Sequence, residues 1–179
     1  MKTAIIAVLG SKKSGKTTTI ETLIERLTMR GYRIAAVKHV AELNFTIDAK
    51  GKDSWRFAQA GAKTIITVAD NEVATIEKMN TKNLPLDEIL QKCRGNDVVF
   101  IEGFRSVVGR DKRIQKVVIV TTSKEALEAS KSFEPILAFA GSYSTENLKL
   151  KIGHVDVLKD SEKLVDIIEG FIRKSKSGT

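Results

Sequence analysis

Ala4-Ile5-Ile6-Ala7-Val8-Leu9-Gly10-Ser11-Lys12-Lys13-Ser14-Gly15-Lys16-Thr17-Thr18 decides how the rest of this sequence is read. Residues 4–9 are uncharged and apolar, the length of a buried strand, and residues 10–17 then spell G-x-x-x-x-G-K-[ST]. From 16 to 30, Ile20, Leu23, Ile24 and Leu27 recur at helical spacing until Gly31 stops the segment. Strand, glycine-bearing loop and amphipathic helix in that order make a phosphate-binding loop. Gly10 lets the chain leave the strand sharply, and Gly15 lets backbone N–H groups close on a polyphosphate. Lys16 supplies charge to the outer phosphates, the Thr17 hydroxyl is a ligand for Mg²⁺, and the helix N-terminus adds its dipole. The stretch therefore predicts a nucleoside triphosphate bound with Mg²⁺.

The pattern continues outward from this loop. Strands are expected at 33–38, 97–101, 116–120, 136–140 and 154–158, and a hairpin of 63–69 with 72–76 turning at Asp70-Asn71. Helices are expected from 53 or 54 to Gly61, from Pro85 to Gly95, over 124–131 and over 161–174, the last burying Leu164, Ile167, Ile168 and Phe171. The 97–101 run, led by Val98-Val99-Phe100, suits a strand covered on both faces. Alternating strand and helix predicts a three-layer α/β fold, a P-loop NTPase with a mainly parallel central sheet flanked by helices. With no linker, repeat or low-complexity stretch, one domain is expected over 1–174, followed by a polar tail at 175–179.

Composition narrows the class. The 179 residues are 42% hydrophobic and 29% charged with a net charge of +8, which excludes a disordered tail, a fibre and a disulfide scaffold. The single cysteine, Cys93, closes no internal disulfide and builds no cysteine zinc site; it reads as a half-buried side chain near a helix end in a reducing cytosol. Lys2 and the apolar run after it only faintly imitate a secretion signal, because Lys12-Lys13 stand where small residues would be needed. No run approaches the roughly 18 residues of a membrane span, so a soluble cytoplasmic protein with no membrane partner is expected. The positive surplus sits in residues 1–60, with 11 Lys and Arg against 5 Asp and Glu, and predicts an anionic ligand there. Aromatic residues are 6% and do not interleave with the charge, so nucleic acid is not expected.

A phosphate loop needs an acid at the end of a neighbouring buried strand, and Glu102 is the first carboxylate after Val98-Val99-Phe100-Ile101. Lys38 and His39 end the second expected strand on the same sheet edge. Asp48 or Asp53 would complete a Mg²⁺ shell with Thr17 and Glu102. Asp53 and Ser54 read equally well as helix N-caps, and a lone His39 as a hydrogen-bonded strand end.

Taken in order, the loop at 10–18, Val37-Lys38-His39, Gly51-Lys52-Asp53-Ser54, Ala60-Gly61-Ala62 and Ile101-Glu102-Gly103-Phe104-Arg105 resemble the molybdopterin-guanine dinucleotide biosynthesis protein B (MobB) family. The resemblance spans residues 4 to about 120 and rests on order and spacing as much as on any one motif. It implies a GTP-binding protein, often dimeric, with weak GTPase activity. Such a protein assists transfer of GMP to molybdopterin beside the guanylyltransferase MobA and the molybdenum-insertion enzyme MoeA. It also implies nucleotide contacts from residues 10–18, with Lys16 and Glu102 in the catalytic role. Lys38, His39, Asp48, Asp53 and Ser54 match the second-strand region, and Gly103 and Arg105 the segment after the acid. Extra histidines after Lys38-His39 are missing, since Val40-Ala41-Glu42-Leu43-Asn44 has none, and so is an N-K-x-D motif, where Thr122-Ser123-Lys124-Glu125 stands instead.

Two alternatives stay open on the residues. In a small-molecule kinase, Arg105, Arg110 and Arg113 with Gly109 as hinge would form a mobile lid over the transferring phosphoryl group. In a nucleotide-dependent switch, no fast hydrolysis is needed, and no glutamine stands beside the loop to position water.

Overall fold

The computed structural model describes residues 3–142, 152–157 and 159–177. Among these residues the elements run β1 (Ala4–Leu9), α1 (Lys16–Met29), β2 (Ile34–Lys38), α2 (Asp53–Gln59), β3 (Thr64–Val68), β4 (Val73–Glu77), α3 (Leu86–Lys92), β5 (Val98–Glu102), α4 (Arg105–Val108), β6 (Gln115–Ile119), α5 (Ser123–Ser132), β7 (Ile136–Ala140), β8 (His154–Val155) and α6 (Ser161–Ser177). Six strands form one parallel sheet in the order β2-β5-β1-β6-β7-β8, and β3 and β4 form a separate antiparallel pair. The expected mainly parallel α/β sheet flanked by helices is present.

The chain divides into two compact units, Met1–His39 with Leu90–Thr179, and Val40–Ile89. In the first, Ile6, Val8, Phe100, Val117, Ile119, Ala138 and Ala140 share one core with Ile20, Leu23 and Leu27 of α1 and Leu164, Val165, Ile168 and Ile172 of α6. The period-two alternation of those strand positions puts them on one sheet face. The intervening set, Ala7, Val99, Ile101, Val118 and Phe139, is equally buried, so the sheet is covered on both sides, as parallel sheets are. α1 and α6 are joined outside the core by ion pairs of Arg26 and Arg30 with Glu162, and of Arg30 with Asp166 and Glu169.

α6 differs from expectation in two ways. Its buried stripe is Leu164, Val165, Ile168 and Ile172, with Ile167 and Phe171 only flanking it. The helix also runs past Lys174 through Ser177, because Lys176 has work to do: its ammonium reaches Asp97 at 2.7 Å and lies 5.2 Å from the Tyr32 ring centre. The last strand comprises His154 and Val155; Leu158 lies outside the described residues. Cys93 follows α3 half-buried, and burial pushes its thiol pKa up.

In the second unit the hairpin turns where expected, with Ala69 N–H donating to the Glu72 carbonyl. Its buried apolar side chains are Ile65 and Leu86, while Leu43, Phe45, Ile47, Phe57, Ile66, Val68, Val73 and Met79 are exposed.

Candidate functional site

The loop between β1 and α1 is closed by its own backbone and side chains. Gly10 stands where a Cβ would lie 2.6 Å from Ser14 Oγ and 2.9 Å from the Ile119 carbonyl, so the residue is required by space beside β6 more than by the turn itself. Gly15 caps α1 at φ 93°, a left-handed conformation, and Lys13 also has positive φ. These two inversions wind the loop around a cleft of about 360 Å³ lined by residues 12–18 and Glu102. Ser14 Oγ is enclosed without a hydrogen-bond partner among the described residues.

The charged groups converge on this cleft. The Lys16 ammonium folds back to donate to the Ser11 carbonyl at 2.6 Å. The Thr17 hydroxyl donates to Glu102 Oε2 at 3.0 Å, joining the start of α1 to the end of β5. Lys38 Nζ lies 3.5 Å from Glu102 Oε1, so each oxygen of this carboxylate, only 16% exposed, faces a partner. The β2–β5 register sets this pairing by placing Lys38 opposite Glu102, and it continues as His39 N–H donates to the Glu102 carbonyl. Behind it, Gly103 adopts φ 94°, and a Cβ there would meet His39 Cβ at 2.8 Å. The His39 ring rests 4.5 Å from that of Phe104. A strand-end acid, a loop hydroxyl and two lysines thus lie together at one sheet edge.

A family profile described as molybdopterin guanine dinucleotide synthesis protein B matches residues 5–142. The chain belongs to this family, MobB. A molybdopterin-guanine dinucleotide biosynthesis adapter protein of Haemophilus influenzae is 36% identical over 103 residues, covering 56% of this chain and 57% of that protein. The protein of the same name from Escherichia coli K12 is 28% identical over 118 residues, 64% of each chain. The chain spans about half the length of the curated relatives it matches first. Among solved structures, a Bacillus subtilis MobB crystal structure superposes with a TM-score of 0.70 at 26% identity, over 94% of this chain and 97% of that one. A molybdopterin-guanine biosynthesis protein B (mobB) gives 0.74 at 23% identity, over 94% and 99%; at that identity it speaks for the MobB fold alone.

Within this MobB-family chain, the expected site residues fall into two groups. Residues 10–18, Lys38, His39, Glu102, Gly103 and Arg105 belong to the first unit. Asp48, Asp53 and Ser54 belong to the second and are organised locally. Ser54 Oγ donates to Asp48 Oδ1 at 2.8 Å, and Asp48 Oδ2 is enclosed without a partner among the described residues. Neither Asp53 nor Ser54 caps α2: the cap is Lys52, and Asp53 pairs with Arg56 at 3.2 Å. Capping lost because Ser54 is drawn to Asp48 and Asp53 already lies inside the helix.

Two residues of the neighbourhood escaped the sequence reading. Glu125 accepts from the Thr121 N–H and hydroxyl, both at 2.8 Å. These bonds, led by the Thr121 N–H and joined by the Ser11 side chain, hold its pKa below the usual carboxylate range. The Thr122 side chain accepts from the Glu125 N–H, so Thr122-Ser123-Lys124-Glu125 acts as a helix-capping sequence. Phe133 carries the Arg105 guanidinium 4.7 Å above its ring, beside a cavity of about 150 Å³ that Gly10, Ser11, Arg105 and Glu125 also line. No spacing rule connects Phe133 to Arg105; the fold alone brings them together.

Proposed function

We propose that this chain binds GTP with Mg²⁺ on residues 10–18 and hydrolyses it slowly. In this reading it acts as a cytoplasmic, homodimeric adapter in the attachment of GMP to molybdopterin, beside a MobA-like guanylyltransferase and a MoeA-like insertion enzyme. The nucleotide part is carried by the Thr17 hydroxyl held 3.0 Å from Glu102 at the edge of the lysine-lined cleft. Mg²⁺ prefers hard oxygen ligands and keeps several of its waters. A hydroxyl beside a carboxylate suits it, with Thr17 and Glu102 holding the ion. When bound, Mg²⁺ would neutralise charge on the terminal phosphates.

Lys16 would exchange the Ser11 carbonyl for a phosphate oxygen, and Lys38 and His39 would line the same edge. Slow turnover fits the surroundings of the carboxylate: with one oxygen on Thr17 and the other facing Lys38, both oxygens of Glu102 are already engaged. The adapter role draws on the names of the Haemophilus and Escherichia relatives and on MobB membership. The exposed apolar side chains of the second unit support a protein-binding role.

The kinase alternative fits the geometry less well. Gly109 has ordinary helical angles, φ −54° and ψ −39°, Val108 and Ile114 are fully buried, and Arg113 is occupied by Asp111 at 2.7 Å. A lid needs a hinge and free arginines, and here the segment is tied down. Titration with GTP and with ATP, each with Mg²⁺, tests the reading. Tighter GTP binding with slow turnover is expected; ATP preference or rapid phosphoryl transfer to a small acceptor would overturn it.

A further inference from the structure

Among the described residues, Lys116 is the one buried lysine, at 0% exposure within β6. A buried ammonium is costly unless each of its three N–H groups finds an acceptor. Here all three do: Nζ donates to the carbonyls of Asp111 at 2.7 Å, Ile114 at 2.8 Å and Glu134 at 2.6 Å. Burial draws the Lys116 pKa down, and the nearby Asp111 and Glu134 carboxylates oppose that drift. The side chain behaves as a built-in cation around which two chain segments are wrapped.

Those segments lead to the nucleotide loop. Glu134, gripped through its carbonyl, also donates its N–H to the Gly109 carbonyl at 3.0 Å. Phe133 precedes it, and its ring lies so close to Gly109 that a Cβ there would meet ring carbons at 3.2 and 3.4 Å. The ring in turn carries Arg105, which lines the cavity with Gly10 and Ser11. The lysine, two loops, one ring and one guanidinium form a continuous mechanical chain.

We propose that Lys116 is a positioning residue for the phosphate loop: its three carbonyl bonds fix Phe133 and thereby hold the Arg105 guanidinium beside Gly10 and Ser11, ready for an anionic group of the bound nucleotide. This rests on the triphosphate reading of the loop. Without the clamp the Phe133 platform shifts and the exposed Arg105 guanidinium loses its seat on that ring beside Gly10 and Ser11, which weakens binding without altering any loop residue.

The test combines Lys116→Met, which removes all three donors, with Arg105→Gln, each read by nucleotide titration, melting temperature and the Arg105 Nε–Hε resonance of the nucleotide-free protein. Lys116→Met is expected to weaken Mg·GTP binding about fivefold and to move the ring-shifted Arg105 resonance, yet to add less than about twofold in the Arg105→Gln background. An equal loss in both backgrounds, or a lower melting temperature with affinity and resonance unchanged, would overturn the proposal. Should Lys116→Met fail to fold, Lys116→Gln, whose amide keeps two donors, is read by the same comparisons. If the wild type binds neither GTP nor ATP while the Arg105 resonance still moves in the variant, the triphosphate reading fails and the clamp stands. An unmoved resonance sinks the clamp itself.

Discussion

The two units are held together by different physics. The first covers both faces of a six-stranded sheet and fixes its site residues from beneath: Glu102 ends a strand whose Val98, Val99, Phe100 and Ile101 are at most 1% exposed. The second organises Asp48 and Ser54 through local polar bonds, Ser54 to Asp48 and Asp48 N–H to the Thr46 hydroxyl, and buries few apolar side chains. Cores stabilise in proportion to the apolar area they remove from water, so groups in the first unit are pre-organised and those in the second adaptable. A phosphate site gains from rigidity because its donors then need no ordering on binding.

The largest expected effect tests the rigidity directly. Leu23→Ala should cost about 2–5 kcal/mol of global stability, read by chemical denaturation, and Ile65→Ala in the hairpin clearly less. Equal costs would mean that the two units unfold together. Next, Lys16→Ala removes a charge-assisted contact of roughly 1.5–3 kcal/mol and should lower triphosphate affinity about ten- to a hundredfold. Glu102→Gln should instead spare binding and depress Mg²⁺-dependent turnover; normal turnover would return Glu102 to a purely structural role.

A smaller effect is expected within the second unit. Ser54→Ala removes the bond to Asp48 and should cost about 1 kcal/mol of local stability, read by hydrogen exchange. No change would mean that this bond does not organise the segment and would sharpen the contrast.

The smallest effect concerns pH. The Tyr32 hydroxyl, then Arg173 and Arg30, hold the Glu169 carboxyl at a pKa of about 2, below its ordinary 4.5. A depressed folded-state pKa contributes stability that is complete above the unfolded value and fades as pH falls from there through about 2. Glu169→Gln should flatten that acid limb by lowering stability at neutral pH while leaving stability near pH 2 nearly unchanged. A steeper acid limb would contradict the assignment.

How much of this was legible depends on which interactions are local. β1, the phosphate loop and α1 lie consecutively in the chain, and their apolar spacing, glycines and lysine spell them out. β5 could be read because burial on both faces leaves an uninterrupted apolar run. By contrast, Lys116 stands within such a run and gives no sign that three carbonyls await it, since those come from residues 111, 114 and 134. The inner stripe of α6 was shifted because Val165 and Ile172 were not separable by period alone from Ile167 and Phe171. Thr17 and Glu102 were expected as ligands of one Mg²⁺; their direct hydrogen bond, and the approach of Lys38, depend on how the strands are ordered and registered. The two-unit division has no compositional marker at Val40 or Ile89.

The order of the sheet has one more consequence. β2 and β5 are hydrogen-bonded neighbours, although the whole of the second unit is threaded between them in sequence. Closing a chain detour costs only about 0.6 kcal/mol for each doubling of its length. The β2–β5 seam therefore tolerates an insertion of almost any size, and the Lys38–Glu102 register behaves as a fixed socket whose inserted cargo could be shortened, lengthened or exchanged without rewriting the phosphate loop.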